Sequence, residues 1–349
     1  MPSNKLKISD IGEKRLIKRL LSRSQKSIPN SFFFNSFFND TSLKSLEDDA
    51  ALLLIGEQFL VVTSDLLFEP LHFPPGMTPL EMGIKSVAVN LSDLAAMGAR
   101  PLGIIMSMGL PPDLQLEDFD LLVEGILKTC DDYDIALLGG DTNQADHITL
   151  CGTALGIVDR DKVLMKCGAQ EGDVVAVTGV LGSAAAGFEV LSGDESLFKS
   201  LSPPDKDDIL KHVLQPKARV EEGILISESE SATSTTDITD GLVSEMGEIL
   251  SATDQELGIR FYENKIPTSP ILDEVARISG KNATEMALYY GEDFELLITI
   301  SPQYFDSLKE KVEVHSIGDV TSSGRIEMID KEGKTNILVP RGYEHLKKS

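Results

Sequence analysis

Residues 85–101 read KSVAVNLSDLAAMGARP, and the way this stretch folds decides how the whole chain is organised. In front of it, Thr78-Pro79-Leu80-Glu81 forms a capping box with proline at the first helical position. Gly98 is a C-terminal stop, so the spacing predicts a helix from Pro79 to about Met97. Ile84, Val87, Ala88, Val89, Leu91, Leu94 and Ala95 leave it apolar on nearly every side, which is the pattern of a buried helix. Ser86, Asn90, Asp93 and Met97 recur at three- and four-residue spacing and trace one narrow stripe down it, polar except at Met97. An ionised Asp93 there is costly unless something compensates it. A bound cation would do so. So would an ion pair with Lys85, or a role in capping a neighbouring loop.

Working outward, the same oddity recurs: acids stand at the ends of apolar runs. Asp48 and Asp49 precede Ala50–Ile55, Asp65 closes VVTSD, Asp141 follows IALLGG, and Asp237 and Asp240 lie in TSTTDITDGL. Each has an ordinary reading: a solvated turn for Asp48 and Asp49, an Asx turn for Asp141, a helix N-cap for Asp240. Taken together, nearly all aspartate, they fit a cage of oxygen ligands for Mg²⁺, with Thr63 and Ser64 able to add hydroxyls beside Asp65.

Around these sites the chain alternates strand and helix. Strands are expected over 51–55, 59–64, 102–109, 135–139 and 147–158, with helices over 79–97 and 115–130. A second series begins at GDVVAVTGVLGSAAAGFEVL and continues with helices over 218–230, 241–251, 270–279 and 303–310. Its strands fall before Asp237 and over 258–262, 294–300 and 312–330. The fold class is therefore α/β (α+β) in two domains, 1–160 and 161–349. An amphipathic helix is expected over 8–23, followed by a Phe-rich loop, SIPNSFFFNSFFNDTS.

Composition narrows the chemistry. A net charge of −24 argues against nucleic acid or an anionic membrane as partner, but not against a phosphorylated substrate held through cations. No apolar run is long enough to span a membrane, residues 1–30 lack a signal-peptide core, and the three cysteines lack metal-ligand spacing. A cytoplasmic protein with reduced thiols is expected. There is no GxxxxGK[ST] loop, no Ser/His/Asp order, and none of the five histidines is spaced for zinc. His72, in EPLHF, is the histidine to watch; its ordinary reading is a satisfied, half-buried imidazole.

Read together, EDDAALL, TSDLLFEPLHF, KSVAVNLSDLAAMGARP, LLGGDT, GDVVAVTGVLGSAAAGFEVL, DITDGL, GEDFELL and RGYEHL resemble, in order, the thiamine-monophosphate kinases. These are a family within the aminoimidazole-ribonucleotide-synthetase-like ATP-binding superfamily. The resemblance implies ATP-dependent phosphorylation of thiamine monophosphate to thiamine diphosphate, several Mg²⁺ ions, and a homodimer built through the N-terminal domains. It implies Asp49, Thr63, Ser64, Asp65, Asp93, Asp141, Asp237 and Asp240 as metal ligands. It places Gly140, Lys166 and Thr239 at ATP, and His72, Glu292 and Tyr343 at thiamine monophosphate. Glu47 stands where the family usually has glycine, and Lys166 where it commonly has arginine. Two alternatives stay open: another ATP-dependent enzyme of the superfamily, such as aminoimidazole ribonucleotide synthetase, and a non-catalytic Mg-nucleotide-binding regulatory protein.

Overall fold

The computed structural model describes residues 48–193, 201–253 and 255–341, with Lys7, Ile8, Gly12, Arg15, Leu16, Ile17, Arg19 and Leu20. Glu47, Tyr343, the Phe-rich stretch and most of the helix expected over 8–23 lie outside the described residues. The first half contains β1 (Ala51–Ile55), β2 (Gln58–Phe68), α1 (Glu69–His72), α2 (Pro79–Ala96), β3 (Arg100–Leu110), α3 (Leu116–Asp132), β4 (Ala136–Gln144) and β5 (Thr149–Asp159). Its strands form one sheet in the order β1-β2-β5-β3-β4, antiparallel except for the β3–β4 pair. Alternation explains which side is buried. Leu150, Gly152, Ala154 and Gly156 of β5 turn toward the helices, and the residues between them turn to the other, open face.

The second half adds β6 (Val174–Thr178), α4 (Ser183–Ser192), α5 (Pro203–Leu214), α6 (Val220–Ser229), β7 (Ala232–Asp237), α7 (Leu242–Ala252) and β8 (Gly258–Tyr262). It continues with α8 (Pro270–Ser279), α9 (Ala283–Tyr289), β9 (Leu296–Ile300), α10 (Pro302–Lys309), β10 (Val314–Thr321), β11 (Ile326–Ile329) and β12 (Thr335–Leu338). Its sheet runs β12-β11-β8-β10-β6-β9-β7. Besides the four-residue α1, three helices and strands go beyond the expected set. In α5 only Ile209 and Val213 are buried, too few to show a period; α9 has seven residues and β12 four.

Helix α2 is the pivot of the molecule. Its capping box forms as the sequence requires: Thr78 Oγ1 accepts from Glu81 N, and Glu81 Oε2 accepts from Thr78 N at 2.8 Å. It crosses α3 at glycines on both sides. A Cβ on Gly125 would meet Leu80 O at 2.0 Å, and one on Gly83 would meet Leu122 O at 2.2 Å. Leu91, Leu94 and Ala95 join a core that continues into Leu296, Ile298 and Val314 of the second sheet. Full burial of each leucine is worth about 1.5–3 kcal/mol, so the two halves are held together by shared apolar surface around one helix.

Candidate active site

Where α2 meets β2 and β7, three carboxylates converge. Asp49, Asp93 and Asp237 each present an oxygen within 4.8 Å of the others. Each is placed by a different element: Asp49 by the entry to β1, Asp93 by the last turns of α2, Asp237 by the end of β7. Thr63 Oγ1 donates to Asp93 Oδ2 in a very short hydrogen bond, and Ser92 Oγ donates to Asp237 Oδ2 at 2.5 Å. Thr236 Oγ1 donates to Asp49 Oδ1 at 3.2 Å, while Asp49 Oδ2 is buried with no partner among the described residues. Asp65 is oriented by Asn90, whose Oδ1 accepts from Asp65 N at 3.1 Å. Asn90 fits because β5 has glycine opposite: a Cβ on Gly152 would meet Asn90 Nδ2 at 2.3 Å.

The electrostatics follow from that crowding. Burial, then the neighbouring charge of Asp49, pushes Asp65 up to about 6 and Asp237 to about 7. Burial together with Asp65, Asp237 and Asp49 holds Asp93 well above the usual carboxylate range. Two unit charges ~5 Å apart repel by roughly 3 kcal/mol at an effective dielectric of ~20. One positive group already stands among them: Lys166 Nζ pairs with Asp49 Oδ1 at 2.7 Å, and Lys166 N donates to Asp48 Oδ2 at 3.2 Å. Glu245, buried on α7, accepts from Asp240 N at 3.0 Å and is raised by burial. The sequence reading missed Asn90, Ser92, Thr236 and Glu245; for Asn90 the polar stripe on α2 was the available signal.

A second pole lies at the other end of α2. Lys85 is fully buried and donates to Glu292 Oε1 and Oε2 at 2.9 and 2.8 Å and to His72 O at 2.9 Å. The Lys85–Asp93 pair considered from sequence is therefore not formed; Asp93 takes Thr63 instead. His72 Nδ1 accepts from Phe68 N at 2.8 Å. Asp293 accepts from Gly182 N at 2.9 Å and Ala184 N at 3.3 Å, so a carboxylate of this chain already sits at the N-terminus of α4, and burial raises it to about 7.

Several expected site residues take other positions within their elements than the spacing suggested. Asp65 does not end its strand but lies inside β2, and Asp141 does not follow its strand but lies inside β4. Strand alternation puts Ser64 and Asp141 on the open face, opposite Asp65. Ser64 Oγ donates to Gly152 O at 2.7 Å and meets Thr153 Oγ1, and Asp141 Oδ2 accepts from Asn143 Nδ2 at 2.8 Å. Gly140 is explained by packing, since a Cβ there would meet Met106 O at 1.8 Å. Asp240 is not the N-cap of α7; Gly241 is. Thr239 O accepts from Glu292 N at 2.8 Å.

Comparison with known proteins settles the lineage. Residues 47–158 match the family model for the AIR synthase related protein N-terminal domain, and 170–331 the corresponding C-terminal domain. A thiamine-monophosphate kinase of Pyrococcus horikoshii is 35% identical over 317 residues, covering 89% of this chain and 94% of its own. The chain belongs to the thiamine-monophosphate kinase family. Among solved structures, AaThiL complexed with AMPPCP and TMP superposes with a TM-score of 0.82 at 27% identity, covering 98% of this chain and 100% of that one. The Escherichia coli hydrogenase maturation protein HypE shares the fold at 18% identity, TM-score 0.64, covering 80% and 85%. As in the thiamine-monophosphate kinase family at large, the domains are mixed α/β and the chain is a kinase by kinship. Among the described residues no helix is long and apolar enough to cross a membrane.

Proposed function

We propose that this chain transfers the γ-phosphoryl group of ATP to the phosphate of thiamine monophosphate, giving thiamine diphosphate and ADP. The observation that carries the reading is the convergence of Asp49, Asp93 and Asp237 within 4.8 Å, in a chain 35% identical to a named thiamine-monophosphate kinase. An acceptor phosphate oxygen attacks the γ-phosphorus as the bond to the bridging oxygen breaks. A phosphate monoester is already charged near neutral pH, with a second pKa of about 6, so no protein base is required. What remains is positioning and charge neutralisation.

The donor set fits Mg²⁺. It is all oxygen, it repels itself, and it leaves Asp49 Oδ2 buried and unpartnered among the described residues. Asp49, Asp65, Asp93 and Asp237 would hold the cations, with Thr63 supporting Asp93, and Asp240 nearby. When bound, Mg²⁺ neutralises phosphate charge and lets two anionic reactants approach within an acidic protein. Lys166 would serve the nucleotide after leaving Asp49, an exchange that becomes favourable once that carboxylate has another positive neighbour. His72 and Glu292 would face the acceptor.

Ser64 and Asp141 share the open sheet face with the exposed side chains of Leu53, Ile55, Leu66 and Ile105. That apolar face supports a homodimer formed through the first sheet. Incubating the protein with ATP, Mg²⁺ and thiamine monophosphate tests the function. Thiamine diphosphate is the expected product; nucleotide binding with no product overturns the reading.

A further inference from the structure

A fully buried ammonium is an expensive object, and a buried ion pair is seldom worth more to stability than apolar residues of the same size. Lys85 nevertheless has no exposed surface, and three acceptors surround it: both oxygens of Glu292, and His72 O. An ammonium has three protons to give, so its hydrogen bonding is complete. The partners come from different parts of the chain, with Lys85 on α2 and Glu292 in the loop between α9 and β9, 207 residues on.

Glu292 is itself held in an unusual backbone state. Its φ is +58°, in the left-handed region that non-glycine residues avoid, and it follows Gly291 at φ +84°. A Cβ on Gly291 would strike Thr239 O at 2.1 Å, and Glu292 N donates to that same oxygen. Strain of this kind persists where surrounding structure imposes it, and it collects at functional sites. Beside the pair stands an aromatic wall. Lys85 Nζ lies 5.7 Å from the Phe188 ring centre, and Phe188 meets Tyr290, 40% exposed, at 5.5 Å.

We propose that Lys85 is a positioning residue for the phosphoryl acceptor. It grips Glu292 across the boundary between the two halves and so fixes the carboxylate and aromatic wall that receive the acceptor's cationic heterocycle. The proposal rests on the reading that Glu292 faces the acceptor. On helix α2, Lys85 and Asp93 are eight residues apart, a rise of about 12 Å on one rigid element. The same element therefore sets both the acid cluster and the grip on Glu292, and the spacing between acceptor wall and phosphoryl-transfer centre is built into it.

Steady-state kinetics on the full-length protein tests this with Lys85→Met and the double variant Lys85→Met/Glu292→Gln. The single variant is expected to raise KM for thiamine monophosphate on the order of tenfold or more while KM for ATP stays within about twofold. The double variant leaves no unpaired charge, so its thermal midpoint should return toward wild type; because Lys85 acts through Glu292, its acceptor KM should match that of Glu292→Gln alone within about twofold, a comparison that also serves if the single variant fails to fold. Both KM values rising together, or an acceptor KM unchanged in either variant, would assign Lys85 a purely structural role and overturn the proposal. Wild-type protein that forms no thiamine diphosphate, and whose melting is not shifted by thiamine monophosphate, removes the functional reading and the proposal with it. A working wild type alongside kinetically unchanged variants removes only the proposal.

Discussion

Asp93 concentrates the chemistry of the site at the level of one residue. It is raised by burial first and by three neighbouring acids next, against which the Thr63 hydroxyl favours its charged form. Replacing it with Asn removes the repelling charge and keeps the shape. Asp93→Asn is therefore expected to melt no lower than wild type in chelator, while turnover falls by at least about 10²-fold; calorimetry and a product assay check the two halves. Lys166 makes the complementary case. Lys166→Met strips the counter-ion from Asp49, so the chelated protein should melt lower, whereas in Mg²⁺ the loss should shrink as the added cation replaces the ammonium. Loss of the same size in both conditions would mean that Lys166 supports the fold independently of the cluster.

At the scale of elements, α2 and its crossing with α3 transmit sequence to site. Gly125→Ala places a methyl group against the Leu80 carbonyl, with 2.0 Å available. Overpacking of this kind typically costs about 1–3 kcal/mol. Denaturant unfolding should show that loss, and because α2 carries both Lys85 and Asp93, turnover should fall with it. A fully stable, fully active variant would show that α2 tolerates displacement. This helix was the most legible part of the chain: a capping box, a glycine stop and apolar residues on nearly every side all pointed the same way. Its partners were not legible. Local pattern says that Asp93 needs compensation, but not that it would find Thr63 or that Lys85 would find Glu292 207 residues on. The β2 reading stopped at Ser64, one residue short of Asp65, and so took Asp65 for a terminus. Carried to Phe68, the strand's alternation puts Asp65 on the side of the acid cluster and Ser64 on the other.

Over the whole molecule, the acid cluster makes stability depend on pH and on cations together. A carboxyl whose folded pKa is raised keeps its proton longer when folded than when unfolded. Native stability must then fall as pH rises from the unfolded value of 3.8 through about 6 for Asp65 and about 7 for Asp237. In chelator the melting temperature should drop between about pH 5 and pH 7.5, and Mg²⁺ should raise it more at the upper end. A flat profile in chelator would mean the acids do not repel one another as the geometry requires. The open face of the first sheet gives a separate expectation. Light scattering should report a dimer, and charges introduced at Leu66 and Ile105 should shift it toward monomer without unfolding the chain; a wild-type monomer would leave that face unexplained.

If Asp49, Asp65, Asp93 and Asp237 jointly hold the cations that bring two anionic reactants together, neutralising one of them must release bound metal. The most direct test counts bound Mn²⁺ by electron paramagnetic resonance, with a non-hydrolysable ATP analogue present, in wild type and Asp93→Asn. The account requires more than one tightly held ion in wild type and the loss of at least one in the variant. The same number and affinity of ions in both proteins would contradict it.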